Sequence, residues 1–307
     1  MKHLFIINPA AGKRDQTQQM TEKIQQAGNA HGLDYRIAVS AAPGDCRRIA
    51  REAAQSGEEY RIYACGGDGT LNEVVGGVAG YSNVAVTHFA GGSGNDFVKV
   101  FGPTEAFRDL EALLDSEETE FDLIRCNDDI SLNITSVGLD ARIGTEVARY
   151  KRLPFVLGSL AYILSAVVNV VKGVSEHYVV EIDGETIDAQ QPLICACNGQ
   201  FYGGGFNPVP EADPSDGMLD VLLVRDVSRF KVLEIIGKYK EGKYADFPQY
   251  IRHFRTKAMK IVCDKPTAIN LDGELRTAGT VVIEMAQEKL RFFYPRSLSK
   301  VKESAAV

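Results

Sequence analysis

The first 125 residues alternate short apolar runs with longer polar stretches of helical composition. LFIINP (4–9), YRIAVS (35–40), RIYAC (61–65) and VAVTHFA (84–90) predict four strands. Helices are predicted over 14–31, 45–57, 70–79 and 105–115, with Asp45 as the N-cap of the second. Strands alternating with helices imply a parallel sheet with helices on both faces. Three of the strands end in small-residue loops, NPAAGK, CGGDGT and AGGSGND. They would meet along the carboxyl edge of such a sheet, where ligands bind.

After about residue 125 the pattern changes. ISLNITSVGL, HYVVEIDGETI, LICACNGQ, MLDVLLVRDV, KAMKIVCD, TAINLDGEL and TVVIEMA read as short strands broken by Gly, Asp and Pro turns. That density of strands predicts a sandwich or barrel. Helical stretches at 154–173 and about 228–241 interrupt it. The expected architecture is therefore an α/β N-terminal domain with a parallel sheet (1–125) and a β-rich, sandwich-like C-terminal domain (126–290). The tail, about 291–307, is expected to return to the first domain. PFVLGSLAYILSAVVNVV (154–171) carries no charge and sits at the lower edge of membrane-span length. Gly158, Ser159, Ser165 and Asn169 favour a buried or lipid-facing helix over a span.

Composition narrows the classes. At 307 residues, 45% hydrophobic and 24% charged, the chain is an ordinary globular protein of two domains. A net charge of −7 argues against a general nucleic-acid binder. Lys2 and His3 lead straight into a strand, without a signal-peptide pattern. The six cysteines are scattered without zinc-type spacing, and a reducing cytoplasm fits. Cys195 and Cys197 alternate within a strand, so both are expected on one face as small hydrophobes.

The three glycine loops carry the chemistry. A glycine-rich strand-to-helix turn exposes backbone N–H groups and lets a phosphate approach, and the helix N-terminus adds partial positive charge. GGDGTLNE is neither a Walker A loop nor the dinucleotide fingerprint. Asp68 among phosphates would repel them unless a divalent cation lay between, which suggests Mg²⁺. Asn8 and Lys13 in the first loop, with Ser93, Asn95 and Asp96 in the third, add donors, a positive charge and a second carboxylate. In VPEADPSDGMLDV, Asp213, Asp216 and Asp220 cluster in a turn that suits a hard cation. DGE occurs twice, at 183–185 and 272–274, each reading as a hairpin turn and each offering a carboxylate as a base.

NPAAGK (8–13), GGDGTLNEVVGG (66–77) and GGSGNDFVK (91–99), followed by VPEADPSDGML and the late DGE, resemble the catalytic domain of the diacylglycerol kinase family, in its soluble bacterial lipid kinase branch. GGDGT alone is shared with NAD kinases and, more loosely, phosphofructokinases. The resemblance covers nearly the whole chain and implies a kinase that transfers the γ-phosphoryl of ATP to the hydroxyl of diacylglycerol or a related lipid, in the cleft between two domains. It implies that Asn8, Pro9, Ala10, Ala11 and Gly12 form one nucleotide-binding turn, with Lys13 beside it as a further nucleotide-binding residue. Gly66, Gly67, Asp68, Gly69, Thr70, Leu71, Asn72 and Glu73 form the main loop, with Asp68 near Mg²⁺–ATP. Ser93 lies against the nucleotide, Ser40 stands where the family often has Thr, and Asp96 joins the polar network around the metal.

The same resemblance selects Glu274 as the base, with Asp272 supporting it. It also implies a structural Mg²⁺ held by Asp216 and by the backbone carbonyls of Asp213 and Met218. The expected partners are a diacylglycerol-like lipid and the inner face of the membrane, with no nucleic acid, and a homodimer is left open. Arg149-Tyr150-Lys151-Arg152 would meet an anionic bilayer or the ATP phosphates, and QFYGGGFNP (200–208) would shape the lipid entrance. Two other readings share the motifs: a NAD kinase-like phosphotransferase, and a catalytically silent nucleotide-binding protein.

Overall fold

The computed structural model describes residues 1–12, 15–139, 141–142 and 175–298. Lys13, the basic cluster at 149–152 and the apolar stretch 154–171 lie outside the described residues. The chain divides into two compact units: Met1–Leu123 with the described residues from Ala286 on, and Ile124–Met285.

In the first unit β1 (Lys2–Ile7), β2 (Tyr35–Val39), β3 (Tyr60–Gly66) and β4 (Val84–Ala90) form a parallel sheet in the order β4-β3-β1-β2. The last part of β14 (Glu274–Pro295) pairs in parallel beside β4, Phe292 opposite Val86. β1, β3 and β4 are nearly continuous apolar runs because both faces of the sheet are covered, whereas β2 at the edge stays half-exposed. The helices are α1 (Thr17–His31), α2 (Asp45–Gln55), α3 (Asp68–Val78) and α4 (Leu110–Leu114).

Three expectations shift in this unit. Asp45 is the first helical residue of α2, and its N-cap is Gly44 at φ 86°. Glu73 of α3 caps α2 from outside, its carboxylate accepting from Gly44 N at 3.0 Å and Cys46 N at 3.1 Å. The helix predicted at 105–115 is a 3₁₀ turn (Thr104–Arg108) followed by α4, because Asp109 takes an extended conformation and caps the new start, accepting from Glu111 N at 3.0 Å. A strand the pattern did not predict, β5 (Ser116–Cys126), follows; its first half is rich in acidic residues and hides the period.

The second unit is antiparallel. β6 is Asp129–Ser131, β7 Ile134–Gly138, β8 Glu176–Ile182, β9 Glu185–Gln191, β10 Leu193–Cys197, β11 Leu219–Val224, β12 Ile251–Thr256 and β13 Ala258–Leu271. They run in the order β12-β11-β10-β7-β13-β14, with β8 also on β13 and β9 outside it. α5 (Arg229–Lys240) occupies the predicted 228–241 stretch, and Ser228 is its N-cap. Alternation assigns the faces. Cys195, Cys197, Leu222 and Val224 pack in one cluster with Tyr202, Tyr239 and Phe247. Ile194, Ala196, Val221 and Leu223 pack in another with Val137, Ile261 and Val281. The two cysteines therefore share a face, as expected, with their sulfurs 3.6 Å apart.

β12 was not anticipated, and KAMKIVCD and TAINLDGEL are one strand, β13. Its pairing register with β14 shifts between Val262 and Thr267, around Pro266, which has no N–H for the ladder. Both DGE triplets close two-residue hairpins, with Ile182 opposite Glu185 and Leu271 opposite Glu274. Asp183 (φ 49°), Gly184 (78°), Asp272 (52°) and Gly273 (94°) all adopt the left-handed conformation that such turns require.

The second glycine pair of GGDGTLNEVVGG serves packing. A Cβ on Gly77 would lie 2.4 Å from the carbonyl oxygen of Arg47, a backbone atom of α2 that cannot swing away. Gly77→Ala is therefore expected to lower stability by about 1–3 kcal/mol in denaturant unfolding. A change within about 0.5 kcal/mol would mean that α2 and α3 separate at little cost.

Candidate active site

Four loops at the carboxyl ends of β1–β4 are joined by side chains, all within the first unit. After β1, Asn8 builds a tight turn: its Oδ1 accepts from Ala10 N at 3.0 Å and its carbonyl accepts from Ala11 N at 3.1 Å. Its Nδ2 donates to Thr70 Oγ1 at 3.0 Å, which ties this turn to the start of α3. Pro9, Ala10 and Ala11 form the turn itself. Gly12 is left-handed (φ 82°), and a Cβ there would stand 3.0 Å from the Gly91 carbonyl oxygen. After β2, the buried Ser40 donates its N–H to Ile7 O at 2.9 Å and bonds through its hydroxyl to the Cys46 thiol.

The β3 loop is held by its neighbour. Asp68 Oδ2 accepts from Asn95 N at 2.8 Å, and Asp68 Oδ1 accepts from Asp96 N. Asn95 (φ 49°) in turn closes its own loop, accepting from Gly92 N at 3.1 Å and donating to Gly92 O at 2.9 Å. This closeness leaves no room for side chains. A Cβ on Gly66 would meet Thr70 Oγ1 at 2.2 Å, one on Gly92 would meet Gly67 Cα at 2.5 Å, and one on Gly94 would meet Asp68 Oδ2 at 2.5 Å. Among the described residues no group accepts from the N–H of Gly67, Asp68 or Gly69 at the start of α3. Three unpartnered N–H groups at a helix N-terminus beside a glycine cradle suit a phosphate.

The remaining predicted residues differ in what they do. Thr70, Leu71 and Asn72 are buried and support the cradle, while Glu73 is spent on capping α2. Ser93 is exposed on the β4 loop. Asp96 is buried and pairs with Lys99. One residue that the sequence did not flag also belongs here: His88, fully buried, whose Nε2 is 2.8 Å from Gly66 O. Nothing in VTHFA separates it from a core strand position.

No group of three or more His, Cys, Asp or Glu gathers as a metal cluster among the described residues. Asp68 spends one lone pair of each oxygen on the β4 loop and keeps another. Such a carboxylate fits a hard cation that arrives with a nucleotide and keeps most of its waters, and does not make a resident ion site.

In the second unit the two residues of the late DGE have separate jobs. Asp272 is a clamp: Oδ2 accepts from Ser131 Oγ at 2.8 Å and Leu132 N at 2.7 Å, and Oδ1 accepts from Ile134 N at 2.7 Å. Asn133 N adds bonds of 3.2 and 3.1 Å to the two oxygens. Burial pushes the Asp272 carboxyl above its ordinary value, against the pull of these bonds. Glu274 opens β14, and its Oε2 accepts from Arg276 Nη2 at 3.0 Å. Arg276 is itself fixed by a two-point pair with Asp129 at 2.9 and 3.2 Å, so the position of Glu274 is set by its own strand and by β6.

The acidic turn before β11 is closed from within. Asp213 Oδ1 accepts from Ser215 N at 2.9 Å and Ser215 Oγ at 2.6 Å, and Asp216 Oδ1 accepts from Met218 N at 3.0 Å. Arg255 pairs with Asp216 and brings its Nε to 3.7 Å from the buried Asp220, which also bonds His253 at 2.7 Å. A guanidinium thus pairs with the Asp216 carboxylate, the one side chain that the resemblance assigns to a structural metal.

A parallel α/β unit with a glycine cradle and an antiparallel β unit with a clamped DGE hairpin define a class of two-domain kinases. Residues 2–126 match the family described as "Diacylglycerol kinase catalytic domain". Residues 133–294 match "YegS C-terminal NAD kinase beta sandwich-like domain". The chain belongs to the diacylglycerol kinase family, in its bacterial lipid kinase branch. It is 26% identical over 282 residues, 90% of each chain, to a "Putative lipid kinase" of Staphylococcus carnosus. A second "Putative lipid kinase", from Staphylococcus epidermidis, is 27% identical over 248 residues, 80% of each chain. The fold matches a crystal structure described as a "putative diacylglycerol kinase" from Bacillus anthracis, with a TM-score of 0.75 at 24% identity over 96% of this chain and 98% of that one. Among the described residues no helix is long and apolar enough to cross a membrane.

The internal cation at the acidic turn makes a direct prediction. The thermal midpoint of the wild type should be the same in EDTA and in Mg²⁺, and Arg255→Ala should cost about 1 kcal/mol or less, since the pair is partly exposed. A midpoint that falls in EDTA would mean that a metal closes the turn.

Proposed function

We propose that this protein is an ATP-dependent lipid kinase that transfers the γ-phosphoryl of ATP to the hydroxyl of diacylglycerol or a related lipid, working from the cytoplasm at the inner face of the membrane. The observation that carries the reading is the cradle at the end of β3, where the N–H groups of Gly67, Asp68 and Gly69 have no acceptor among the described residues and Gly69 has open space beside it. Membership of the diacylglycerol kinase family supports it.

Phosphoryl transfer asks little covalent chemistry of a protein and much positioning. In this reading the N–H groups at the start of α3 receive the phosphate chain, and the Asn8–Gly12 turn flanks it. Asp68 holds the β4 loop in place and faces the cation side of the nucleotide, with Asp96 and Lys99 beside it. Mg²⁺ bound with ATP would supply the charge neutralisation that the phosphates need. Glu274, oriented by Arg276, takes the proton of the lipid hydroxyl, and Asp272 keeps the hairpin that carries it in shape.

Purified protein incubated with a total lipid extract and labelled ATP should give a magnesium-dependent phosphorylated lipid, identified by mass spectrometry. Glu274→Gln should lower kcat by about 10²–10⁴-fold with little change in ATP affinity. Asp68→Ala should weaken ATP binding as well as turnover. NAD is run as a competing acceptor. Product on NAD, or none on any lipid hydroxyl, would sink the lipid kinase reading.

A further inference from the structure

His88 lies on β4 opposite Ala64, with no exposed surface. Its Nε2 is 2.8 Å from the carbonyl oxygen of Gly66, the last residue of β3. A carbonyl cannot donate, so Nε2 carries the proton. Nδ1 is buried without a partner among the described residues. A second proton there would bury an unpaired N–H, so the imidazole is neutral, and burial lowers its proton affinity although the Asp68 carboxylate opposes the shift.

The same Gly66 oxygen accepts from Gly91 N at 2.7 Å and Gly92 N at 3.1 Å. Three donors on one carbonyl are more than its two lone pairs accommodate ideally, and all three come from β4 and its loop. A peptide bond is planar and trans, so the N–H of Gly67 points opposite to the Gly66 carbonyl. The carbonyl is drawn toward β4, and the Gly67 N–H is thereby turned away from β4, where nothing in the described protein accepts it. Neither Gly66 nor Gly67 has a side chain that could fix this peptide, and glycine pays no steric penalty for flipping it.

We propose that His88 is a positioning residue that locks the Gly66–Gly67 peptide so that the Gly67 N–H is presented to the phosphate chain. The phosphate part of this proposal rests on the kinase reading above; the locking part does not. The other two bonds come from the backbone of Gly91 and Gly92, in the loop after β4. The histidine is the one donor to this carbonyl that comes from the rigid interior of a strand.

The test compares His88→Leu, which removes the donor, with His88→Gln, whose terminal amide reaches about as far as Nε2. Two quantities are read on the full chain: amide hydrogen exchange across 64–72 and 90–97 without nucleotide, and the dissociation constant of ATP with magnesium. His88→Leu should speed exchange and weaken ATP by about five- to tenfold each, the size expected for one buried hydrogen bond, and His88→Gln should restore both to within about threefold. Unchanged exchange in His88→Leu, or equal loss in Leu and Gln, would overturn the locking role, because volume and not the donor would then matter. If the wild type binds no ATP while exchange still separates Leu from Gln, the locking role stands and the nucleotide reading fails. If His88→Leu does not fold, the nitrogen chemical shifts of the wild-type imidazole decide: a proton on Nε2 alone agrees, and a proton on Nδ1 instead refutes the proposal.

Discussion

The carboxylate of Asp68, bonded to the backbone N–H groups of Asn95 and Asp96, is the constraint on which the first unit depends. A bare carboxylate about 4 Å from a phosphate charge would be opposed by about 4 kcal/mol at an effective dielectric near 20. Hydrogen bonds to a charged group are worth about 1.5–3 kcal/mol each, so two of them offset that repulsion on their own scale. In the proposed kinase reading, the β4 loop, by solvating the carboxylate, lets it stand near the phosphates together with their cation. The consequence runs in both directions. The loop must come close enough to donate, and Gly92 and Gly94 are glycine because a Cβ at either would strike Gly67 or Asp68. Flexibility, which the composition of these loops suggests, is thus the opposite of what the glycines provide. They are small so that the two loops can be locked together.

The same economy appears one helix turn later. Glu73 looks like part of the phosphate loop when read along the chain, yet its carboxylate is committed to the first N–H groups of α2. Gly77 then lets α2 lie against α3 with a backbone oxygen where a side chain would be. GGDGTLNEVVGG therefore contains two structural sentences: its first half shapes the glycine cradle, and its second half fixes the neighbouring helix to it. α3, whose N-terminus forms part of the cradle, is anchored to α2 at both places.

Much of this was legible along the chain, and the reasons for the gaps are physical. Parallel strands buried on both faces announce themselves as apolar runs, so β4 was readable to the residue, β3 to within one residue and β1 to within two. The loops at their ends were readable because they are rich in the glycine, proline, asparagine, aspartate and serine that turns favour. β5 was not, because SEETE puts charges where a strand pattern expects alternation, and those charges are used for pairing: Glu118 holds Arg61 and Arg291. The Asp45 cap was misplaced because the real acceptor, Glu73, lies 27 residues from the Cys46 amide it caps, and no local pattern carries a cap supplied from another helix. His88 was invisible for the same reason. A buried histidine in VTHFA has no sequence signature until the carbonyl it meets is known.

The two DGE turns show most clearly where local reading ends. Both place Asp and Gly in left-handed conformations, and both join paired strands. Asp183 accepts one bond, from Thr256 Oγ1 at 2.7 Å. Asp272 receives one hydroxyl and three consecutive backbone amides of 131–134. The difference is wholly tertiary, made by a segment some 140 residues earlier in the chain. It also divides the labour within the late triplet. A carboxylate with its oxygens committed to backbone amides is held as an acceptor, and taking a proton would set its new O–H against those donors. Within INLDGEL the carboxylate that is not committed to those amides is Glu274, which accepts from the Arg276 guanidinium.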